Sequence, residues 1–239
     1  MASFGAAIEH GAEMIEADAL LSRDGELVLM HDDAVDRTTN GHGYVRDLTW
    51  RELSELDAGT WFDPMFAGLR IPHATELIEL AREAGVGLCL EAKGATPDEA
   101  ARVATALATL VAQQAALDWA FVSSFDHEAL TGATQAVPDL LIAPERLPEH
   151  GAQPAKETLR QAIALGTRVL QHRWELITPA LIETLHNAGV ALWAWNTNDA
   201  ESVRSTLALG VDGIIGDDID LLVAGRADLE RSIGGAPAE

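Results

Sequence analysis

Short apolar runs and longer amphipathic stretches alternate along most of the chain, and each kind predicts a different element. The apolar runs predict strands at 14–21, 27–31, 86–92, 120–125, 140–143, 168–172, 190–195 and 213–215. The stretches with helical spacing predict helices at 2–12, 75–84, 97–114, 126–136, 154–165, 179–188 and 200–209. This alternation of strands and helices is typical of an α/β protein with a parallel sheet.

Glycines close several of the predicted helices directly before the next strand, which makes the connections short. They are Gly85, Gly166, Gly189 and Gly210. Without the short run at 27–31, the main strands number seven, whereas a TIM (β/α)₈ barrel has eight. The first predicted element is a helix, so we expect the absent first strand to precede Met1. No glycine-rich phosphate loop follows a strand, which favours the barrel over an open doubly wound sheet.

The segment after the second strand has little regular pattern and is rich in Asp, Gly, Trp and Pro. The irregular segment covers residues 32–73, and no low-complexity linker divides the chain, which indicates a single domain that spans 1–239. Thr49 and Glu52 fit a capping box, which predicts one short helix at 49–56. We expect the tail at 234–239 to be disordered.

A net charge of −22 narrows the range of binding partners expected for this protein. Nucleic acid and anionic membrane surfaces both need a basic face, so neither is expected as a partner. The single cysteine, Cys89, excludes an internal disulfide and is typical of a reducing cytoplasm. No membrane span or signal peptide is evident, so we expect a cytoplasmic protein. The pattern leaves the oligomeric state open.

Acidic residues end two of the predicted strands. Glu16 and Asp18 lie two residues apart, as do Glu91 and Lys93, so each pair shares one face of its strand. Strand ends of a parallel barrel meet at the active-site face. Three carboxylates there predict a site for a hard divalent cation, Mg²⁺ or Ca²⁺. The alternative is that these acids form salt bridges or face solvent.

Two basic groups accompany the carboxylates. The position of Lys93 beside a strand-end carboxylate predicts that its ammonium contacts an anionic oxygen of a ligand. The alternative is a local ion pair with Glu91. His31 is suited to proton transfer because imidazole titrates near neutral pH, or alternatively it hydrogen-bonds Asp32 or Asp33 in a turn.

A set of ordered motifs resembles the glycerophosphodiester phosphodiesterase family of the bacterial cytoplasmic type. The motifs are Glu16-Ala-Asp18, His31-Asp-Asp, Asp36-Arg-Thr-Thr-Asn-Gly41, Leu56-Asp-Ala-Gly59, Arg70-Ile-Pro72, Leu90-Glu-Ala-Lys93, Val122-Ser-Ser-Phe125, Trp195-Asn-Thr-Asn-Asp199 and Gly210-Val-Asp-Gly-Ile-Ile-Gly-Asp217. They occur in the family's order over nearly the whole chain.

The resemblance implies a metal-dependent TIM-barrel hydrolase that converts glycerophosphodiesters to sn-glycerol 3-phosphate and an alcohol. It also implies a small-molecule substrate and an insertion at about 32–70 that shapes access for the alcohol group. The residues it assigns are Glu16, Asp18 and Glu91 as metal ligands, His31 as a catalytic histidine, Lys93 as a phosphate-binding residue and Trp195 as a substrate-pocket residue.

The chain also departs from the family pattern. The His-Arg-Gly and Pro-Glu-Asn-Thr motifs are not in this sequence, so the first catalytic histidine and a phosphate-binding arginine would lie on the absent first strand. His42, His73 and His127 lie on segments that could approach the barrel mouth as substitutes. Two functions remain open: an enzyme with an incomplete amino terminus, or a non-catalytic barrel that keeps a metal or phosphate pocket for binding or regulation.

Overall fold

The computed structural model of the protein describes residues 1–146 and 155–234. The chain comprises two compact units. The first contains Met1–Gly5 and Met14–Leu141, and the second contains Ala6–Glu13 and Ile142–Glu239. The expectation of a single domain stays a prediction. Of the tail at 234–239, residues 235–239 lie outside the described residues.

Strands and helices alternate as the hydrophobic pattern predicts. The strands are β1 Met14–Leu21, β2 Leu27–Leu29, β3 Gly87–Ala92, β4 Ala120–Ser123, β5 Leu141–Ile142, β6 Val169–Arg173, β7 Ala191–Trp195 and β8 Gly213–Ile214. The helices are α1 Ala2–Glu9, α2 Trp50–Leu53, α3 Ala74–Ala84, α4 Pro97–Gln113, α5 His127–Ala136, α6 Ala155–Leu165, α7 Pro179–His186, α8 Ala200–Leu209 and α9 Ile219–Gly234. Every predicted strand and helix has a counterpart, with ends shifted by a few residues at most, and α9 is an addition.

The described strands lie in two sheets with orders β2-β1-β3-β4-β5 and β6-β7-β8. The neighbours β1–β3, β3–β4, β6–β7 and β7–β8 are parallel, and only β2 is antiparallel to its partner among the pairings described. Parallel strands need a crossover, and a helix supplies it between each successive pair of main strands. The predicted α/β class is confirmed.

In the first unit, apolar side chains from the strands and helices form a common core. Ile15, Ala17 and Ala19 are buried on one face of β1, while Glu16 and Asp18 occupy the other face. Such period-2 alternation is what a strand with one apolar and one polar face requires. Helix α4 contacts β1 and β3, and its buried residues are Ala100, Val103, Ala104, Leu107, Ala108 and Val111.

The segment between β2 and α3 has a small apolar cluster of its own, which includes Val35, Val45 and Leu53. Helix α2 begins at the predicted capping box, in which the Glu52 amide donates to the Thr49 hydroxyl oxygen and the Thr49 amide donates to the Glu52 carboxylate. This segment therefore packs as an ordered element on the end of the β1–β2 hairpin.

The second unit has a core built from β6, β7, α6 and α7, with Leu170, Leu185 and Leu192 almost fully buried. Helix α9 packs on α8 where Gly225 lies. Within the described residues, no helix combines the length and the apolar character that crossing a membrane requires.

Candidate active site

The pairing of β1 with β3 brings the acidic residues of the two strands together. In the parallel register Asp18 lies opposite Glu91, and Glu16 lies opposite Cys89. Because side chains alternate along a strand, Glu16, Asp18 and Glu91 share one face of the sheet. The sequence predicted that the paired residues within each strand share a face. The register shows in addition that Asp18 of β1 lies beside Glu91 of β3.

The three carboxylates converge closely enough to hold one ion. One oxygen from each of Glu16, Asp18 and Glu91 lies within 4.8 Å of the others. Opposite oxygen ligands of a Mg²⁺ or Ca²⁺ ion lie about 4–5 Å apart, since each bond measures about 2.0–2.6 Å. The ligands are all oxygen and carry negative charge, which is the donor set that hard cations prefer. The residues present therefore fit a divalent cation.

Lys93 lies against the same carboxylates. Its Nζ is 3.2 Å from Glu91 Oε1 and 3.5 Å from Asp18 Oδ1, and 23% of its side chain is exposed. The Lys93 amide also donates to the Ala19 carbonyl, which extends the β1–β3 ladder by one residue. The ion pair that the sequence left open for Lys93 is thus present, and it includes Asp18 as well as Glu91.

The charges in this cluster perturb one another. Burial raises the pKa of Glu91 to about 7, and the nearby Asp18 charge adds to that rise while Lys93 opposes it. Burial acts to lower the pKa of Lys93, but the charges of Glu91 and Asp18 outweigh it and raise that pKa above its usual value. A single ammonium does not neutralise three neighbouring carboxylates, so the cluster favours an additional positive charge.

His31 begins the segment that follows the hairpin. The Met30 amide donates to the Asp18 carbonyl at 3.0 Å, which ties this segment to the end of β1. The His31 Nδ1 lies 2.8 Å from Asp32 Oδ1, and 66% of the His31 side chain is exposed. The turn hydrogen bond that the sequence offered as an alternative is therefore present, and the other ring nitrogen, Nε2, is on the opposite side of the imidazole.

The contact of Arg37 with Asp32 is a feature of the site that the sequence reasoning did not predict. Arg37 binds the Asp32 carboxylate through two hydrogen bonds, from Nε to Oδ2 at 2.6 Å and from Nη2 to Oδ1 at 2.9 Å. Arg37 and His31 together lower the pKa of Asp32 well below its usual range, Arg37 more strongly. The only sequence signal for this contact was the presence of an arginine five residues after an acidic residue in the same loop.

The remaining candidates lie elsewhere. Trp195 is the last residue of β7 in the second unit and is half-buried. His42 pairs with Asp36 on the surface, and His73 caps α3, so both histidines have structural hydrogen bonds. His127 is the first residue of α5. The roles assigned to His31, Lys93 and Trp195 stay predictions.

Known proteins resemble this chain over most of its length. The model of the Glycerophosphoryl diester phosphodiesterase family matches residues 1–221. A glycerophosphodiester phosphodiesterase of Caldanaerobacter subterraneus subsp. tengcongensis is 34% identical over 226 residues, covering 93% of this chain and 89% of the relative.

Solved structures agree. A phosphodiesterase of Oleispira antarctica in complex with the product sn-glycerol-3-phosphate has a TM-score of 0.84 and 26% identity, covering 95% of this chain and 90% of that one. A glycerophosphodiester phosphodiesterase of Agrobacterium tumefaciens str. C58 has a TM-score of 0.77 and 27% identity, covering 92% of this chain and 90% of that one.

These neighbours are TIM-barrel proteins, which confirms the predicted fold class, although the described strands of this chain fall into two sheets. The resemblance that the ordered motifs indicated is also confirmed. The family model matches residues 1–221, and the relative that is 34% identical covers 93% of this chain, so the chain belongs to the glycerophosphoryl diester phosphodiesterase family.

Proposed function

We propose that the protein hydrolyses glycerophosphodiesters to sn-glycerol 3-phosphate and an alcohol, and that the reaction depends on a divalent cation, Mg²⁺ or Ca²⁺. The observation that carries the proposal is the convergence of Glu16, Asp18 and Glu91 within 4.8 Å, with Lys93 beside them. The complex of the Oleispira antarctica relative with sn-glycerol-3-phosphate supports the choice of product.

Glu16, Asp18 and Glu91 would hold the cation. When bound, the cation would offset negative charge that develops on the phosphate during hydrolysis. Two of the three carboxylate charges that Lys93 alone now faces would then be balanced by the cation. This balance leaves the Lys93 ammonium able to turn toward a non-bridging phosphate oxygen, where it adds electrostatic stabilisation.

His31 supplies one proton-transfer group. Its Nδ1 is engaged by Asp32, so Nε2 is the atom that would accept a proton from the attacking oxygen or give one to the leaving alcohol. Trp195 would contact the substrate from the end of β7. That part of the proposal rests on its place at a strand end and on the family resemblance.

The reaction would place the protein in lipid and glycerol metabolism, since its products are a glycerol phosphate and a head-group alcohol. We propose a cytoplasmic location. The single cysteine, Cys89, is buried in β3, in keeping with a reducing compartment.

The test is turnover of glycerophosphocholine and glycerophosphoethanolamine by the purified chain, before and after treatment with EDTA. We expect EDTA to abolish turnover and added Mg²⁺ or Ca²⁺ to restore it. Glu16→Gln should lose at least about 10²-fold in kcat because it removes a ligand charge. Glu13→Gln is the matched control, because Glu13 is exposed and pairs with Arg226 on the surface.

Turnover that persists in EDTA, or an unchanged rate in Glu16→Gln, would contradict the metal-dependent mechanism. The competing function is a non-catalytic module that binds phosphate or metal. Calorimetric binding of sn-glycerol 3-phosphate with no turnover of either diester would establish that function instead.

A further inference from the structure

We propose that Asp32 and Arg37 are positioning residues for catalysis, holding His31 in the one tautomer and orientation that the reaction uses. The inference rests on the proposed function, because it assigns His31 the proton transfer. It adds a series of side-chain contacts that leads from the insertion to the reacting histidine. In this series Arg37 holds Asp32, and Asp32 holds His31.

The geometry of the Arg37–Asp32–His31 contacts is well defined. Asp32 Oδ1 accepts from Arg37 Nη2 at 2.9 Å and lies 2.8 Å from His31 Nδ1, while Oδ2 accepts from Arg37 Nε at 2.6 Å. A planar guanidinium bound through two parallel hydrogen bonds fixes the plane of the carboxylate. The carboxylate plane then sets the direction from which the imidazole approaches it.

This arrangement dictates which nitrogen of His31 carries the proton. An ionised carboxylate can only accept hydrogen bonds, and Arg37 favours the ionised form of Asp32. The Nδ1 atom must therefore be the donor in the 2.8 Å contact. In the neutral ring Nε2 is then unprotonated and able to accept a proton, which is the state a general base needs.

Arg37 is in turn supported by the insertion. Its guanidinium carbon lies 5.9 Å from the centre of the Trp61 ring, and the Trp61 indole donates to the Ala58 carbonyl at 3.0 Å. Trp61 also packs edge-on against Phe62. Residues 58–62 of the insertion thus reach the proton-transfer group through Arg37 and Asp32.

A contribution to the stability of the fold does not account well for the Arg37–Asp32–His31 contacts. More than half of the Arg37 side chain is exposed, and an exposed ion pair contributes little to the stability of a fold. On a surface, two hydrogen bonds from one guanidinium fix the orientation of the carboxylate more than they stabilise the fold. Four other described histidines, His10, His42, His73 and His186, lie beside one acidic side chain, and none of those four acidic partners is bound by an arginine through two hydrogen bonds.

The first experiment is kinetic and uses Asp32→Asn in the full chain with its cation. Asparagine keeps the shape of the side chain, but it loses the charge and can also present a donor to Nδ1. We expect kcat for glycerophosphocholine to fall by at least about 10²-fold with little change in KM, because substrate contacts remain and proton transfer is impaired. Arg37→Lys should lose less, since it keeps the charge without the two-point contact.

The matched control is Asp220→Asn. Asp220 lies 2.7 Å from His10 Nδ1 on the surface, so the same chemical change is made at another histidine pair. We expect kcat to be unchanged in this variant. An Asp32→Asn variant with the kcat of the control, or one that changes only KM, would overturn the positioning role.

The second experiment does not depend on activity. In ¹⁵N-histidine-labelled protein, the ring nitrogen shifts of His31 report its tautomer, and the His31→Gln spectrum assigns them. We expect the Nδ1–H tautomer in the native chain and a mixed or Nε2–H population in Asp32→Asn. The same tautomer in both would overturn the inference. If the native chain turns over no diester, the proposed function fails, while this spectrum still decides whether Asp32 controls the His31 tautomer.

Discussion

At the scale of single residues, the candidate site is defined by a charge imbalance. Glu16, Asp18 and Glu91 converge around one ammonium, that of Lys93. The rise in the pKa of Glu91 to about 7 reflects the cost of placing its charge in a buried position beside Asp18. Lys93 reduces that cost, so its removal should expose the imbalance.

We therefore predict that Lys93→Met lowers the free energy of unfolding by about 1–3 kcal/mol in EDTA, because it leaves buried carboxylates without a cation. Added Ca²⁺ should restore most of that loss, and should stabilise this variant more than the native chain. Urea unfolding with EDTA and with Ca²⁺ measures both effects. Lys156→Met, at an exposed position on α6, should show neither effect. An equal loss with and without Ca²⁺ would argue against a cation site beside Lys93.

Sequence reasoning reached much of this site but not all of it. The two-residue spacing within β1 and within β3 was enough to place Glu16 with Asp18 and Glu91 with Lys93. The register that sets Asp18 opposite Glu91 depends on packing between distant segments, so local patterns do not contain it. The contact of Arg37 with Asp32 depends on the path of an irregular loop, which periodicity cannot predict.

His172 is a second residue whose burial has a measurable consequence. It lies in β6 with 3% of its surface exposed, and its Nδ1 is 3.2 Å from the Arg173 carbonyl. The pKa of His172 is lowered from 6.5 to about 4, mainly by burial; the hydrogen bond with the Arg173 carbonyl opposes the fall and the charge of Arg146 contributes to it. The folded protein therefore keeps this ring neutral under conditions where the unfolded chain protonates it.

The sign of the pH dependence follows. Between about pH 6.5 and pH 4 the unfolded state binds more protons at this site, so stability falls as the pH falls and is fully present above that window. We predict that His172 accounts for a loss of about 3 kcal/mol across the window. Urea unfolding of His172→Gln and of the native chain at several pH values should give curves whose difference changes by that amount. Parallel curves would contradict the prediction.

At the scale of elements, local signals were sufficient wherever a boundary has a local cause. The predicted helix at 200–209 coincides with α8, which begins after the capping residue Asp199 and ends at Gly210 with a positive φ. The capping box at Thr49 likewise marks the start of α2. These signals succeed because the residues that satisfy a helix end lie next to it in the sequence.

Helix α9 shows where local signals fail. Its sequence has Gly225 near the middle, and glycine disfavours a helix by about 1 kcal/mol relative to alanine. In the structure a Cβ at Gly225 would lie 2.3 Å from a Val203 methyl carbon, so the position has no room for a side chain where α9 crosses α8. The glycine is there for packing between two helices, and that reason is invisible in the sequence of α9 alone.

At the scale of the whole molecule, the dominant property is a net charge of −22. The negative field acts on every approaching ligand, whereas Lys93 and a bound cation act only within the site. A phosphodiester whose head group is neutral carries one net negative charge, as in glycerophosphoglycerol. Glycerophosphocholine carries none, because its quaternary ammonium balances the phosphate. The two substrates should therefore respond differently to screening of the protein's field.

We predict that raising the ionic strength from about 20 mM to about 200 mM increases kcat/KM for glycerophosphoglycerol by about 2–5-fold, because the screening length shortens to below about 8 Å. The value for glycerophosphocholine should change little over the same range. Steady-state kinetics at saturating cation, with KCl as the added salt, gives both slopes under matched conditions. If glycerophosphoglycerol instead loses efficiency as salt is added, local attraction by Lys93 and the cation outweighs the field of the molecule. In that case the acidic surface has no part in substrate selection and serves other needs, such as solubility.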